Sequence, residues 1–168
     1  MATKALISEE EYLRTSYPDL DCEYRNGEIL ERTLPDYRHA RTQKRLIVIF
    51  DRLEALRVPL FVCPELRLRL AKGLYRIPDV CVFSPEQPSE SVPSTPPLIA
   101  IEISSPNDRL TRIREKLEEY RQWGVPYVWL VDPHSRRLYG CTSAGLSEVP
   151  SFRVAEFDLE ITAPEIFD

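Results

Sequence analysis

One acidic residue, Glu102, lies within an otherwise apolar segment of the sequence, PPLIAIEISSP, at residues 96–106. The apolar residues on either side of it are typical of a strand that is buried on both faces of a sheet. A lone ionised carboxylate in such a strand costs several kcal/mol unless a partner offsets its charge. An arginine, a proton or a metal ion could do so, and each implies a different chemistry for Glu102.

A second acidic residue occupies a similar position. Asp79 follows Pro78 at the start of the apolar segment 79–83, and a proline is tolerated at the first residue of a strand. If this strand and the strand 98–104 are neighbours, Asp79 and Glu102 converge at one position of the sheet. Two converging carboxylates repel each other, so either one of them takes up a proton or both bind a divalent cation. A site made only of oxygen ligands suits Mg²⁺ or Mn²⁺ better than zinc.

A metal ion held by two carboxylates supports phosphodiester hydrolysis when a lysine orients the attacking water and balances charge in the transition state. The expected place for that lysine is two residues after Glu102, but Ser104 stands there. Lys116, on the predicted following helix, is the candidate replacement, since at ~100° per residue it lies roughly 80° from the centre of the apolar stripe. A long side chain there can reach over the sheet edge with its stem buried. The alternative is an ordinary solvated lysine on a highly charged helix.

Other features have simpler interpretations. Glu23 is either part of the same site or a surface acid of a strand. His39 is expected to be a partly exposed helix residue, with assistance at the mouth of the active site as the alternative. Arg38, Arg41 and Arg45 lie near one face of a predicted helix, which favours a solvated face over contacts with phosphates.

Composition favours a cytoplasmic protein without a membrane segment. The four cysteines are far apart and lack CxxC pairing, which is typical of reduced thiols rather than disulfides or zinc ligands. The N-terminus lacks an apolar signal core, and no apolar run approaches the ~20 residues of a membrane span. The net charge of −5 argues mildly against non-specific binding to nucleic acid. At 168 residues, we expect one domain spanning 1–168.

The first half of the sequence contains several element signals that would place these residues. Capping-box spacing after Ser8 predicts a short helix, and an Asn-Gly pair at 26–27 predicts a hairpin. Apolar residues at helical spacing predict a helix from about 37 to 57. The segments LFVCPELRLRLA and LYRIPDVCVF are expected to form two strands around a Lys-Gly turn at 72–73. A surface loop rich in proline and serine follows them.

The second half is dominated by a strand-helix-strand unit from 98 to 132, expected to be a right-handed parallel crossover. Its helix is predicted to be capped by Asn107 or Asp108 and to end at Gly124, with Leu110 as the first residue of its core stripe. The segments RRLYGCTS and SEVPSFRV predict edge strands. The order of elements therefore predicts an α/β fold with a mixed central β-sheet flanked by helices.

Four segments, CEYRNGEI, IPDVCVF, IAIEISSP and REKLEEYRQWGVPYVWLVDP, together resemble the Uma-two family of restriction-endonuclease-like proteins in the PD-(D/E)XK nuclease superfamily. The resemblance runs over about residues 8 to 166 and implies the restriction-endonuclease-like fold. It implies metal ligation by Asp79 and Glu102 and a displaced catalytic lysine at Lys116. It also places Glu23 at the rim of the same site as a further catalytic acid.

The resemblance implies a divalent-metal-dependent endonuclease that hydrolyses phosphodiester bonds of nucleic acid, with DNA as the favoured partner and Mg²⁺ or Mn²⁺ as the cofactor. A homodimer is the default expectation for such a protein. One departure is Arg112, where the family often has an aspartate. The alternative function is a nuclease-fold binding or assembly module that does not cleave, favoured by the acidic net charge and by Ser104. An acyl or sugar hydrolase is a weaker third reading, since the sequence contains no nucleophile elbow.

Overall fold

The structure is a computed structural model that describes residues 6–16 and 22–168. Its helices are α1 (Glu9–Arg14), α2 (Tyr37–Ala55), α3 (Leu110–Trp123) and α4 (Ala163–Phe167), with a 3-10 turn at Ala155–Phe157. Its strands are β1 (Cys22–Arg25), β2 (Glu28–Glu31), β3 (Phe61–Pro64), β4 (Leu68–Ala71), β5 (Leu74–Arg76), β6 (Val80–Phe83), β7 (Ile99–Ile103), β8 (Tyr127–Asp132), β9 (Arg137–Thr142), β10 (Gly145–Val149), β11 (Ser151–Val154) and β12 (Leu159–Thr162). Within the described residues, no helix is both long and apolar enough to cross a membrane.

The largest sheet, here called the large sheet, has the strand order β10-β9-β8-β7-β6-β3. Strands β7 and β8 run parallel, while the other neighbours in this sheet are antiparallel. Helix α2 packs on one face through Leu46 and Phe50. Helix α3 packs on the opposite face through Ile113, Leu117 and Tyr120. The predicted mixed sheet flanked by helices is therefore confirmed.

The predicted strand-helix-strand unit is present as β7, α3 and β8. Helix α3 ends at Gly124, whose φ of +105° lies in the left-handed region that glycine adopts without strain. The predicted start of the helix was wrong. Its N-cap is Arg109, because the Asp108 carboxylate accepts a hydrogen bond from the Ser105 N–H at 2.7 Å instead of capping the helix. Leu110 is 66% exposed, so the core stripe begins one turn later.

The two long strands predicted before residue 84 were also wrong, since each divides into two. The first breaks into β3 and β4 at Glu65, whose φ of +49° turns the chain, and the second breaks into β5 and β6 before Pro78, which has no N–H to donate. In both cases one half joins the large sheet. The other half joins an antiparallel sheet of order β2-β1-β5-β4, here called the small sheet.

The C-terminal segment SEVPSFRV divides as well, at Pro150. Strand β10 forms an edge of the large sheet, whereas β11 pairs with β12 in a separate two-stranded sheet. Phe152 of β11 stacks on Trp129 of β8, with ring centroids 4.3 Å apart. The C-terminal elements thus extend the core on the α2 side of the large sheet.

The small sheet begins with the predicted hairpin of β1 and β2. Its turn residues Asn26 and Gly27 both have positive φ, as the favoured two-residue turn requires. The Asn26 N–H donates to the Gly73 carbonyl at 2.8 Å, so the two turns of the small sheet lie against each other. Pairing of β1 with β5 places Glu23 and Arg76 against the middle of α3, where they contact Lys116 and Glu119.

Candidate active site

The four residues predicted for the site, Glu23, Asp79, Glu102 and Lys116, all line one cavity of about 360 Å³. They come from four different elements of the fold. Glu23 lies on β1, Asp79 directly precedes β6, Glu102 lies on β7 and Lys116 on α3. The cavity therefore lies where the small sheet, the large sheet and α3 meet.

Asp79 and Glu102 are brought together by the pairing of β6 with β7. Val80 pairs with Ile101 in antiparallel register, and one residue further along this register Asp79 stands opposite Glu102 on the same face. The prediction that these two strands, β6 and β7, are neighbours is confirmed. Asp79 Oδ2 accepts a hydrogen bond from the Ile103 N–H at 2.7 Å, which fixes that carboxylate against β7.

Glu102 is buried, and its two carboxylate oxygens accept hydrogen bonds from α3. Lys116 Nζ donates to Oε2 at 2.8 Å, and the Tyr120 hydroxyl donates to Oε1 at 2.8 Å. Burial raises the pKa of Glu102 to about 7; the Lys116 ammonium opposes this rise, and the Asp79 carboxylate adds to it. The Lys116 ammonium and the Tyr120 hydroxyl therefore offset only part of the cost of placing a charged Glu102 within the apolar strand.

Lys116 lies between two buried carboxylates. Its Nζ is 2.8 Å from Glu102 Oε2 and 2.8 Å from Glu23 Oε1, and its side chain is 13% exposed. Burial alone would lower the pKa of Lys116, but attraction to these two carboxylates outweighs burial and raises it above the ordinary value. The alternative interpretation of a solvated surface lysine is therefore wrong.

Glu23 is also buried, so it is not a surface acid of its strand. Its Oε2 accepts from Arg76 Nη1 at 2.8 Å, and its Oε1 accepts from the Ile77 N–H at 3.0 Å. Although burial opposes ionisation, Lys116 and Arg76 hold the pKa of Glu23 below its ordinary value. Glu23 thus links the small sheet to Lys116 by a charge pair.

Two further residues contact Asp79: Arg32, which the sequence interpretation did not consider, and His39, for which a place at the mouth of the site was only the alternative. Arg32 Nη2 lies 2.5 Å from Asp79 Oδ1, and His39 Nε2 lies 3.4 Å from the same oxygen. His39 is buried, so its predicted partial exposure was wrong. The sequence contains a signal for this burial, because His39 lies seven residues, or two helical turns, before Leu46 and continues the buried stripe of α2. Burial opposes ionisation of Asp79, but His39 and Arg32 hold its pKa below the ordinary value.

The donor set of the cavity fits a hard divalent cation. Among residues 6–16 and 22–168, no group of three or more His, Cys, Asp or Glu side chains is arranged to hold a metal ion. Mg²⁺, however, is commonly held by one or two carboxylates, with water and substrate phosphate completing its shell. Asp79 and Glu102 supply two carboxylates, which stand opposite each other where β6 pairs with β7.

Comparison with known proteins gives a family and a fold. The family model Uma2, described as "Putative restriction endonuclease", matches residues 9–167. A similar solved structure is the "Crystal structure of a putative nuclease belonging to DUF820 from Anabaena variabilis ATCC 29413"; the identity is 19%, the TM-score is 0.83, and the match covers 96% of this chain and 97% of that chain. At this identity the likeness shows the fold. No curated protein matches the chain.

Proposed function

This chain belongs to the Uma2 family, and from that premise we propose that it is a divalent-metal-dependent endonuclease that hydrolyses phosphodiester bonds of DNA. The observation that carries the proposal is the position of Lys116. Its ammonium lies 2.8 Å from Glu102, although the strand position two residues after Glu102 is Ser104. The helix therefore supplies the cation that the strand lacks.

In this proposal Asp79 and Glu102 hold Mg²⁺ or Mn²⁺. When bound, such an ion polarises a phosphate and lowers the pKa of a water molecule. Lys116 orients the attacking water and balances the negative charge that develops in the transition state. Glu23 acts as a positioning residue, because its charge pair with Lys116 holds the ammonium inside the cavity.

The proposal is tested by incubating the purified protein with supercoiled plasmid, linear duplex, single-stranded DNA and RNA, in Mg²⁺, Mn²⁺ or EDTA. We expect metal-dependent cleavage of DNA that falls by roughly 100-fold in Lys116→Ala, the scale of losing one preorganised electrostatic contact, and that is abolished in Glu102→Gln. Arg114→Ala is the matched control, since Arg114 is exposed on the same helix. Full activity of Glu102→Gln, or no cleavage of any substrate by the wild type, would refute the proposal.

A second candidate function is a nuclease-fold binding or assembly module that does not cleave. The observation that favours it is that Glu102 already has two donors within the chain, Lys116 and Tyr120, as a structural ion pair would. Calorimetry with Mn²⁺ separates the two functions. A nuclease is expected to bind Mn²⁺ and to lose that binding in Asp79→Ala, whereas a non-cleaving module gives no metal-dependent heat in either protein.

A further inference from the structure

Arg32 contacts the carboxylate that the proposed function assigns to the metal ion. It directly follows β2, and its side chain is 16% exposed at the cavity. Its Nη2 donates to Asp79 Oδ1 at 2.5 Å. Because Asp79 Oδ2 is held by the Ile103 N–H at 2.7 Å, Oδ1 is the oxygen for which Arg32 and a divalent cation compete. His39 Nε2 lies further from the same oxygen, at 3.4 Å.

The cations of the cavity differ in how firmly they are held. Lys116 lies 2.8 Å from each of two carboxylates. Arg76 lies 2.8 Å from Glu23 and 2.6 Å from Glu119.

Arg32 is held by only one short ion pair in the part of the chain that the structure describes. Of its ion pairs within the described residues, the one with Asp79 is short, while the one with Glu65 is 3.8 Å long and involves a carboxylate that is 42% exposed. Of Lys116, Arg76 and Arg32, which pair with the buried acids Glu23, Asp79 and Glu102, Arg32 is therefore the one that loses the fewest short ion pairs by moving.

Charge and geometry also favour an exchange. A guanidinium and a divalent cation on the same buried carboxylate oxygen repel each other strongly, because the surrounding protein screens their charges less than water does. A displaced guanidinium on the segment after β2 still faces the cavity, and its planar fork matches the oxygens of a phosphate diester. The single guanidinium of Arg32 can thus bind either Asp79 or a phosphate of the substrate.

We propose that Arg32 is an exchangeable cation: it occupies Asp79 Oδ1 when no divalent ion is bound, and it turns to a phosphate of the nucleic acid when an ion occupies that oxygen. This inference rests on the proposed function, because it takes Asp79 as a metal ligand. It gives Arg32 two roles of opposite sign, since the same side chain weakens metal binding and strengthens substrate binding.

Calorimetric titration of Mn²⁺ into wild type and Arg32→Met tests the first role. We expect the variant to bind Mn²⁺ on the order of tenfold more tightly, because a competing charge has been removed. Arg112→Met is the matched control, since Arg112 lines the same cavity with an exposed side chain, and its affinity should stay within twofold of wild type. Equal or weaker binding by Arg32→Met, with binding by wild type, would overturn this inference alone. Absence of binding by both proteins would overturn the proposed function with it.

Binding of a short DNA duplex in Ca²⁺, where cleavage is not expected, tests the second role. Arg32→Met should bind more weakly than wild type, and its salt dependence should fall by about one phosphate contact. In EDTA the two proteins should bind the duplex equally. Equal binding in Ca²⁺ would refute the phosphate role.

A measurement on the wild type guards against misfolding of the variant. The Arg32 side-chain Nε–H signal, assigned by its loss in Arg32→Lys, can be followed in ¹⁵N spectra during titration with Mg²⁺. We expect it to shift with the same midpoint as the calorimetric binding curve. A signal that does not change while Mg²⁺ binds would show that Arg32 stays on Asp79, and would overturn the proposal.

Discussion

Replacing Lys116 with methionine is expected to destabilise the protein more at pH 8 than at pH 5. The substitution removes the ammonium but keeps most of the stem. The ammonium lies 2.8 Å from Glu23 and 2.8 Å from Glu102, whose side chains are 5% and 9% exposed. The variant therefore leaves two buried carboxylates without a shared cation.

The magnitude follows from what each carboxylate retains. Removing one partner of a buried ion pair costs roughly 3–5 kcal/mol. Glu23 keeps Arg76 and the Ile77 N–H, and Glu102 keeps the Tyr120 hydroxyl, so we expect the lower end, about 3 kcal/mol at pH 8. For a chain of this size, 1 kcal/mol shifts Tm by roughly 2–4 °C, so the expected loss is about 6–12 °C.

The pH dependence comes from Glu102. Its pKa in the folded protein is raised from 4.5 to about 7, so near pH 5 Glu102 is protonated with or without Lys116. At that pH only the pair of Lys116 with Glu23 contributes to stability. Above pH 7 Glu102 of the wild type ionises and pairs with Lys116. In the variant Glu102 keeps its proton, because loss of the ammonium raises the pKa of Glu102 further. Each pH unit above 7 therefore adds about 1.4 kcal/mol to the difference in free energy of unfolding between the wild type and the variant.

Urea unfolding at pH 5 and pH 8, in buffer without divalent ions, measures this difference directly. Lys72→Met is the control, because Lys72 is an exposed lysine in the turn between β4 and β5, and it should show a small loss at both pH values. An equal loss for Lys116→Met at pH 5 and pH 8 would refute the assignment of the raised pKa to Glu102. No loss at either pH would refute the ion pairs themselves.

Further substitutions test the surroundings of the site. Arg76→Met should cost about 3 kcal/mol in urea unfolding, because it removes the buried cation that Glu23 and Glu119 share, and a loss under 1 kcal/mol would contradict the network. Phe152→Ala should cost roughly 3–5 kcal/mol and change the fluorescence of Trp129, on which Phe152 stacks; unchanged emission would speak against that packing. Gly73→Ala should cost about 1–2 kcal/mol by thermal melting, since Gly73 has a φ of +77° and a Cβ there would lie 2.7 Å from Asn26 Oδ1. An unchanged Tm would disprove this close approach.

The parts of the fold that were predicted correctly depend on local signals. The apolar residues of β7 and β8, and the glycine that ends α3, are visible within a few residues of sequence. The divisions at Glu65 and Pro150 were missed, because a left-handed φ at a glutamate has no local signature and a proline only limits where a strand can pair. The position of Asp108 shows the same limit: its carboxylate had two possible N–H partners, and the tertiary turn decided between them.

The site was predicted in part for a related reason. Glu102 is conspicuous because it interrupts an apolar run, Asp79 because it stands at the start of one, and Lys116 because it lies at the edge of an apolar stripe. Arg32 and Arg76 carry no such mark, since charged residues are common in the turns and edge strands of surface sheets. Arg76 is buried where the small sheet meets Glu119 of α3, and Arg32 is largely buried where it contacts Asp79; both contacts join residues more than 40 positions apart.

The ionic bridge from Glu23 through Lys116 to Glu102 also makes the cavity a joint between two sheets. The small sheet contributes Glu23 and Arg76, while the large sheet contributes Glu102. Opening of the small sheet as one cooperative unit would therefore dismantle the cavity while the large sheet stayed intact. On heating, amide exchange in β1 and β5 is expected to rise at the same temperature at which activity is lost. Exchange in β7 and β8 is expected to rise only at a higher temperature. The working temperature of the protein is then set by the docking of its smaller sheet rather than by its core.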